Sequence, residues 1–471
     1  KRGPYADAQA SHEFVESPFH RTANICGTCH DVSNPVFNRT GPYDYTPNTF
    51  DLEHPDMDLR NMGSVERTFS EWSMSEYATT GVYAPQFAGN KADGIVSTCE
   101  DCHMHDVNAK GCNVSGSPRR ADLGLHDFMG GNTFVPEIVS IFYPDEVSTA
   151  QLQAAVARAD TMLKKAATLD LTPEEFGVTV RVTNQTGHRL PSGYPEGRRI
   201  WLNVRAYDST ATLIYESAAY NFGTAVLTHD ADAKVYEIHP GLSPGLASAL
   251  GLEPGVTFHF VLNDTVYSDN RIPPRGFTNA GFLAVQSPPV DYTYADGQYW
   301  DDTEYHLPST AKDVDVTLYY QSTSKEYVEF LRDENHTNQA GQNLYDAWFD
   351  QGMSEPVVMA EASIAVDVTA GVEDGTKTGL NYSLSHNTPN PFVGATTVAY
   401  SLADRERVTI RIYDLAGRHV ATLVDEIQEP NRYQAEWKGL NSQGESVPPG
   451  VYFIRYSAGE HRFSEKAILL K

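Results

Sequence analysis

The spacing of apolar and polar residues changes character along the chain. Residues 1–145 are polar and turn-rich, and Val65, Phe69 and Trp72 alone recur at helical spacing, predicting a helix near Val65–Tyr77. Leu152, Val156, Ala159, Leu163 and Ala166 then form one stripe behind Ser148, a good N-cap, and predict a helix over Thr149–Leu169. From Phe176 to about Val368 the period becomes two. Val178–Val182, Ile200–Val204 and Val314–Leu318 read as half-buried strands of an antiparallel sandwich. A Pro-rich loop, Asp269–Phe277, interrupts them, and a helical pair at Lys325–Leu331 and Leu344–Phe349 is expected to return toward the first segment.

A Gly/Thr/Ser-rich linker follows, and alternation then resumes at Val408, Ile410 and Ile412 and in Val451–Tyr456. Turns at Asn441–Gly444 and Pro448–Gly450 separate these strands. The expected fold is therefore multidomain. It has a loop-rich, partly helical domain (1–145), a helix plus antiparallel β-sandwich domain packing on it (146–368), a linker (369–386) and a small Ig-like β-sandwich (387–471).

Composition narrows the class. At 471 residues, with 26 Tyr and 20 Phe, the chain suits a loop- and strand-rich folded protein rather than a disordered one. It holds no apolar run of about 18 residues, so no membrane span is expected. The formal charge of −27 argues against nucleic acid, which needs a basic footprint, and is compatible with a basic redox partner. The sequence opens at Lys1 without an initiator Met or an apolar leader. It is expected to be a processed or truncated product, with further attachment sites upstream.

Four of the five cysteines fall into two identical patterns, Cys26-Gly27-Thr28-Cys29-His30 and Cys99-Glu100-Asp101-Cys102-His103. This C-x-x-C-H spacing is the attachment signature of haem c. Two thiols three apart reach the vinyl groups on one porphyrin edge, and the following His lies beneath the iron. The competing readings are a zinc site of Cys26, Cys29, Cys99 and Cys102, which leaves both histidines unexplained, and a redox dithiol, which would need one pair in a βαβ setting. Cys112 is left over and reads as an inert thiol, or as a partner to a cysteine elsewhere.

An iron that only shuttles electrons needs a second axial ligand, so the distal residue separates carrier from enzyme. His105 is within about 7 Å of chain reach of His103, too short to cap the opposite face of the same haem. His126, beyond a longer loop and beside Asp127, is the favoured distal ligand for the second haem, with Met129 as rival. His20 precedes Cys26 by enough residues to cap the first haem, and His12 is a weaker version of the same idea. His188 stands in a Gly-flanked turn leaving a strand, a setting that suits a cofactor ligand. His239 and His259 are outside candidates, each read first as a hydrogen-bonded structural residue.

Longer stretches carry a resemblance. Ser17–Phe19 before Cys26, Cys29–Val32, Cys102–Met104, His126–Phe128 with Gly130–Asn132, Thr186–Arg199, Asp269–Phe277 and Tyr320–Asn335 together resemble secreted multihaem c-type cytochromes. That resemblance implies that His126 and His188 are axial ligands. The chain departs from the pattern in having two haem motifs only and His105 where Pro is usual, which leaves the haem pairing open. Asn390–Phe392, Ile412–Arg418, Trp437–Gly439, Gly450–Tyr452 and Lys466–Lys471 resemble the flagellar-hook-cap Ig-like module, which overlaps the type IX secretion sorting domain. This implies export to the surface of a diderm bacterium.

The leading expectation is an extracellular electron-transfer cytochrome with at least two covalent haems. Its partners would be other cytochromes, copies of itself in a polymeric haem chain, and an external acceptor. A multihaem reductase of a nitrogen or sulfur oxyanion is the alternative, with Arg198, Arg199 and Arg275 supplying charge. The third reading is a glycan-binding surface protein that stacks sugars on Tyr292, Tyr294, Tyr299 and Trp300.

Overall fold

The computed structural model describes residues 2–8, 12–41, 44–49, 51–368, 382–384, 387, 390, 392–415, 417–459 and 461–470. The chain divides into two compact units, Lys1–Val368 and Thr369–Lys471. Most of the expected linker, residues 369–381, lies outside the described residues. The segments expected to divide near residue 145 belong to one unit.

Two antiparallel sheets make the centre of the first unit. One runs in the order Ala167–Glu174, Gly177–Asn184, Trp300–His306. The other runs Leu213–Ser217, Arg199–Tyr207, Asp313–Gln321, Val357–Ala365, with Lys234–Tyr236 also paired to Arg199–Tyr207. Alternate residues of each turn inward. Val178, Val180 and Val182 meet Leu202, Val204, Val316 and Leu318 in a single core that also takes Leu163 and Ala166 of the preceding helix. That helix spans Thr149–Ala166 and passes directly into the strand Ala167–Glu174, so Leu169 pairs with Val182 instead of extending the helix.

The first 145 residues combine short strand pairs with short helices between long loops. Ser33–Arg39 pairs with Tyr45–Pro47 and Met62–Ser64, Val82–Tyr83 with Ile95–Val96, and Asp106–Lys110 with Arg119–Gly124. The predicted helix at Val65–Tyr77 is two short ones, Thr68–Ser73 and Glu76–Thr79. Serines break it: Ser73 and Ser75 donate their hydroxyls to the carbonyls of Ser70 and Trp72, and Glu76 N–H turns away to the Arg275 carbonyl. The later helical pair, Lys325–Asp333 and Ala340–Asp350, packs against the helix Val135–Phe142 through Val328, Ala347, Trp348, Phe134 and Ile138.

The loop between Asn184 and Arg199 carries His188, and polar groups fix it. Asn184 Nδ2 donates to the carbonyls of His188 (2.8 Å) and Ile272 (3.0 Å), while its Oδ1 accepts from the Thr186 N–H and hydroxyl. Leu190 and Ile272 exchange backbone hydrogen bonds. Beneath them lies a buried ionic network. Arg189, with its side chain 0% exposed, meets Asp269 at 2.7 Å, and Arg271 grips the same carboxylate through Nε (2.9 Å) and Nη2 (2.7 Å). Glu71, also fully buried, accepts from the Arg189 N–H, Ser192 and Ser287.

The second unit is a sandwich of the kind its alternation predicts. Its four-stranded sheet is His419–Gln428, Glu406–Asp414, Gly450–Ala458, His461–Leu469, and its three-stranded sheet is Ser383–Leu384, Thr396–Ser401, Arg432–Trp437. Val398, Ile410, Ile454, Tyr456 and Trp437 share its core. The Tyr456 hydroxyl donates to the Ser401 carbonyl, tying one sheet to the other.

Asp269→Ala leaves the desolvated Arg189 guanidinium without its paired carboxylate and Arg271 with Glu71 alone (3.5 Å), so it is expected to cost about 3–5 kcal/mol of unfolding free energy in a denaturant titration. Lys312→Ala, which breaks the exposed pair with Asp367, should cost under about 1 kcal/mol. Burial opposes ionisation of Asp269, but Arg189 and Arg271 overcome it and hold its carboxyl below the usual range. Its contribution is therefore complete above the unfolded carboxyl value of about 4 and is lost as pH falls through the lower folded value, a loss absent from Asp269→Asn.

Candidate cofactor cavity

Each cysteine motif is held on one helical turn. Cys99–His103 is a five-residue helix opened by a capping box: Asp101 N–H donates to the Thr98 hydroxyl, and the Asp101 carboxylate accepts from Thr98 N–H (3.0 Å). The same carboxylate takes Ser97 N–H and Lys91. Residues three apart on a helix share a face, so the turn places Cys99 and Cys102 together with His103 directly after them. In the first motif, the helix Asn24–Gly27 runs into a turn in which Cys29 and His30 N–H both donate to the Cys26 carbonyl. Phe69 packs its ring on Gly27, where a Cβ would lie 2.8 Å from it, and its N–H donates to the His30 carbonyl.

The two motifs open into one cavity. Its volume is ≈ 280 Å³, and its lining includes Cys26, His30, Cys99, Cys102, His103 and His188. Its walls are mainly apolar, from Phe69, Trp72, Phe87, Val96, Met162 and Leu163. The first cysteines of the two motifs meet within it: the Cys99 thiol donates to Cys26, which raises Cys99 and lowers Cys26.

His103 and His188 face one another across this space. Their ring centroids are 6.3 Å apart and their planes differ by 20°. Each ring commits Nδ1 to a backbone carbonyl, His103 to Met129 and His188 to Arg189 (2.9 Å). Among the described residues neither Nε2 has a hydrogen-bond partner. Loss of water pushes His103 down to about 4 and also lowers His188, so both rings are neutral at pH 7 and each keeps a lone pair. Two imidazole–metal bonds of about 2 Å, plus the step from each nitrogen to its ring centre, span roughly 6 Å. The donor set therefore fits one metal ion between two imidazoles, beside two thiols able to anchor its macrocycle.

His30 is different. Its side chain is 62% exposed, and its Nδ1–H donates to Glu66 at 3.3 Å. That hydrogen bond is the chief cause of its raised basicity. Glu66 in turn accepts from the Thr68 hydroxyl (3.0 Å). Its burial opposes ionisation, but the contact with His30 leaves its carboxyl below the usual range.

The other candidates lie elsewhere. His126 is exposed, its ring tilted against Phe128, so His188 and not His126 is the ring that faces His103. Met129 meets His103 through its carbonyl rather than its sulfur. His20 is exposed and edge-on to Phe19, and His12 and His105 are exposed. His239 is paired with Glu237 and Ser268, and His259 packs on Phe330. Cys29 is exposed, and Cys112 is an exposed free thiol against Ser117. Of the arginines, Arg198 lines the cavity with its Nε unpartnered, Arg199 bonds Gln321 and Glu326, and Arg275 covers Tyr299. Three acidic residues carried no signal in the sequence, Glu66, Glu71 and Glu100; both carboxylate oxygens of Glu100 are buried beside the cavity with no hydrogen-bond partner among the described residues.

Two competing readings lose their geometry. Among the described residues no group of three or more His, Cys, Asp or Glu side chains converges as a closed zinc site requires. A working dithiol needs a lowered thiol, and at the second motif burial pushes Cys102 up to about 12. The aromatic cluster expected to stack sugars is engaged internally. Tyr294 is buried, Tyr292 hydrogen-bonds Asp301 and Lys234, and Arg275 and Arg181 lie over Tyr299 and Trp300.

Residues 388–470 match the secretion system C-terminal sorting domain, which indicates export by the type IX route. No helix among the described residues is long and apolar enough to cross a membrane. No curated protein matches the chain. Among solved structures it is similar to a penta-haem cytochrome c552 from Thermochromatium tepidum, at 16% identity and TM-score 0.38, over 75% of this chain and 58% of that one. It is also similar to dimeric latent PorU (9%, TM-score 0.18, 65% and 34%) and to PorZ, a surface component of the type IX secretion system (10%, TM-score 0.15, 63% and 35%), both from Porphyromonas gingivalis. The chain spans less than two thirds of the length of each.

Thr98→Ala removes the cap of the second motif's helix and should lower stability by about 1 kcal/mol in chemical denaturation.

Proposed function

We propose that the chain is an exported c-type cytochrome that carries electrons at the surface of a diderm bacterium, toward an acceptor outside the cell. The observation that carries this reading is the parallel His103–His188 pair, 6.3 Å apart, in a cavity into which both C-x-x-C-H turns open. Haem bound there supplies reversible one-electron chemistry at iron. Cys99 and Cys102 would anchor one haem, and His103 and His188 would hold its iron. Cys26 and Cys29 would anchor the other, and His30 would hold its iron.

The protein's own part is to hold these groups still. The carbonyls of Met129 and Arg189 fix which nitrogen of each ring carries the proton and which way the ring points. Two imidazoles on one metal leave no open position for a substrate, which favours a carrier over an enzyme at this site. The apolar walls exclude water and limit the rearrangement that accompanies a change of charge. Arg198 offers a cation to a carboxylate substituent of the cofactor. The same unpartnered Nε is the observation that favours the second reading, a reductase of an oxyanion.

Intact mass should exceed the polypeptide by two haems. The spin-resonance spectrum of the wild type should include a low-spin signal that His188→Ala converts to high spin, while His126→Ala leaves that signal unchanged. The carrier reading fails if His188→Ala changes nothing, or if a high-spin signal of the wild type responds to nitrite or sulfite.

A further inference from the structure

The two sites differ in what holds the far nitrogen of the ligating ring. At His103 and His188 the acceptor is a neutral backbone carbonyl; at His30 it is the carboxylate of Glu66, a full negative charge. A carboxylate accepting from a metal-bound imidazole raises the ring's basicity and stabilises the more positive, oxidised metal. Solvent acts in the same direction, because the His30 side chain is 62% exposed while His103 and His188 are part-buried. Water stabilises the oxidised site at His30, and its exclusion disfavours the extra charge at the inner one.

We infer that Glu66 is a tuning residue that acts through His30 to hold the first site at a lower reduction potential than the second, giving the chain an internal direction. This rests on the haem reading above. One electron entering at the exposed His30 site passes to the site between His103 and His188; no bond breaks and no proton moves. The other charges near the cavity do not reverse the order. The Glu100 carboxylate lies near both Cys26 and Cys99 and so acts on both sites. The Arg198 guanidinium lies near Glu66 and weakens its pull, but the contact of Glu66 with His30 is direct, at 3.3 Å.

The test is a potentiometric titration of the full, haem-loaded chain, followed by its visible spectrum, after the haem count has been measured by mass. The wild type should give two waves. Cys26→Ala with Cys29→Ala should abolish the lower and keep the higher. Glu66→Gln should raise the lower wave by about a tenfold change in its one-electron equilibrium, about 59 mV, and leave the higher in place. Glu66→Asp, which keeps the charge and weakens the contact, should move it the same way by less. Two haems with the lower wave unmoved in both Glu66 variants, or with both waves moved equally, overturns the assignment and leaves the haem reading standing. A haem count of zero overturns both.

Discussion

An imidazole in an apolar cavity is a polar group out of water, and leaving one of its nitrogens unpaired costs about 1–3 kcal/mol. His103 and His188 each satisfy one nitrogen with a backbone carbonyl and present the other to the same space. The remainder of the site depends on that constraint. The carbonyls fix the tautomer, loss of water keeps both rings neutral, and the ring centres stand 6.3 Å apart. Such an arrangement is uncomfortable without a ligand and well satisfied with one, which is why the pair carries more weight than the number of histidines in the chain.

The constraint is long-range. His103 sits on a capped helical turn in the first third of the sequence, whereas His188 sits on a loop leaving a central strand. The loop is fixed by Glu71, Arg189, Asp269 and Arg271, four buried charged residues that come from three separate segments. A desolvated network of this kind contributes little net stability compared with an apolar core, and its value lies in fixing one geometry. Here that geometry is the aim of the His188 ring.

What the sequence revealed, and what it hid, follows the range of the interactions. Cys26–His30 and Cys99–His103 could be picked out as candidates because the spacing of two thiols and the His after them is local. The sandwich strands were legible because a buried face imposes a period of two over Val178–Val182 and Val314–Leu318. His188 stood out as a turn residue, yet its facing His103 did not, since loop closure depends on charges scattered from Glu71 to Arg271. His126 looked better placed by chain length, but the structure leaves it exposed beside Phe128. Glu66 gave no local signal because its role exists only through contact with His30. The helix expected over Val65–Tyr77 failed at Ser73 and Ser75, whose hydroxyls compete for backbone carbonyls at short range.

The central claim is a metal held between His103 and His188 with a macrocycle anchored at Cys99 and Cys102. Diffraction from crystals of the mature, exported protein, recorded on either side of the iron absorption edge, tests it directly. The account predicts an iron peak bonded to Nε2 of both rings, inside a flat density joined to both sulfurs. An empty gap, a zinc signal, or iron bound by His103 opposite a residue other than His188 would contradict it.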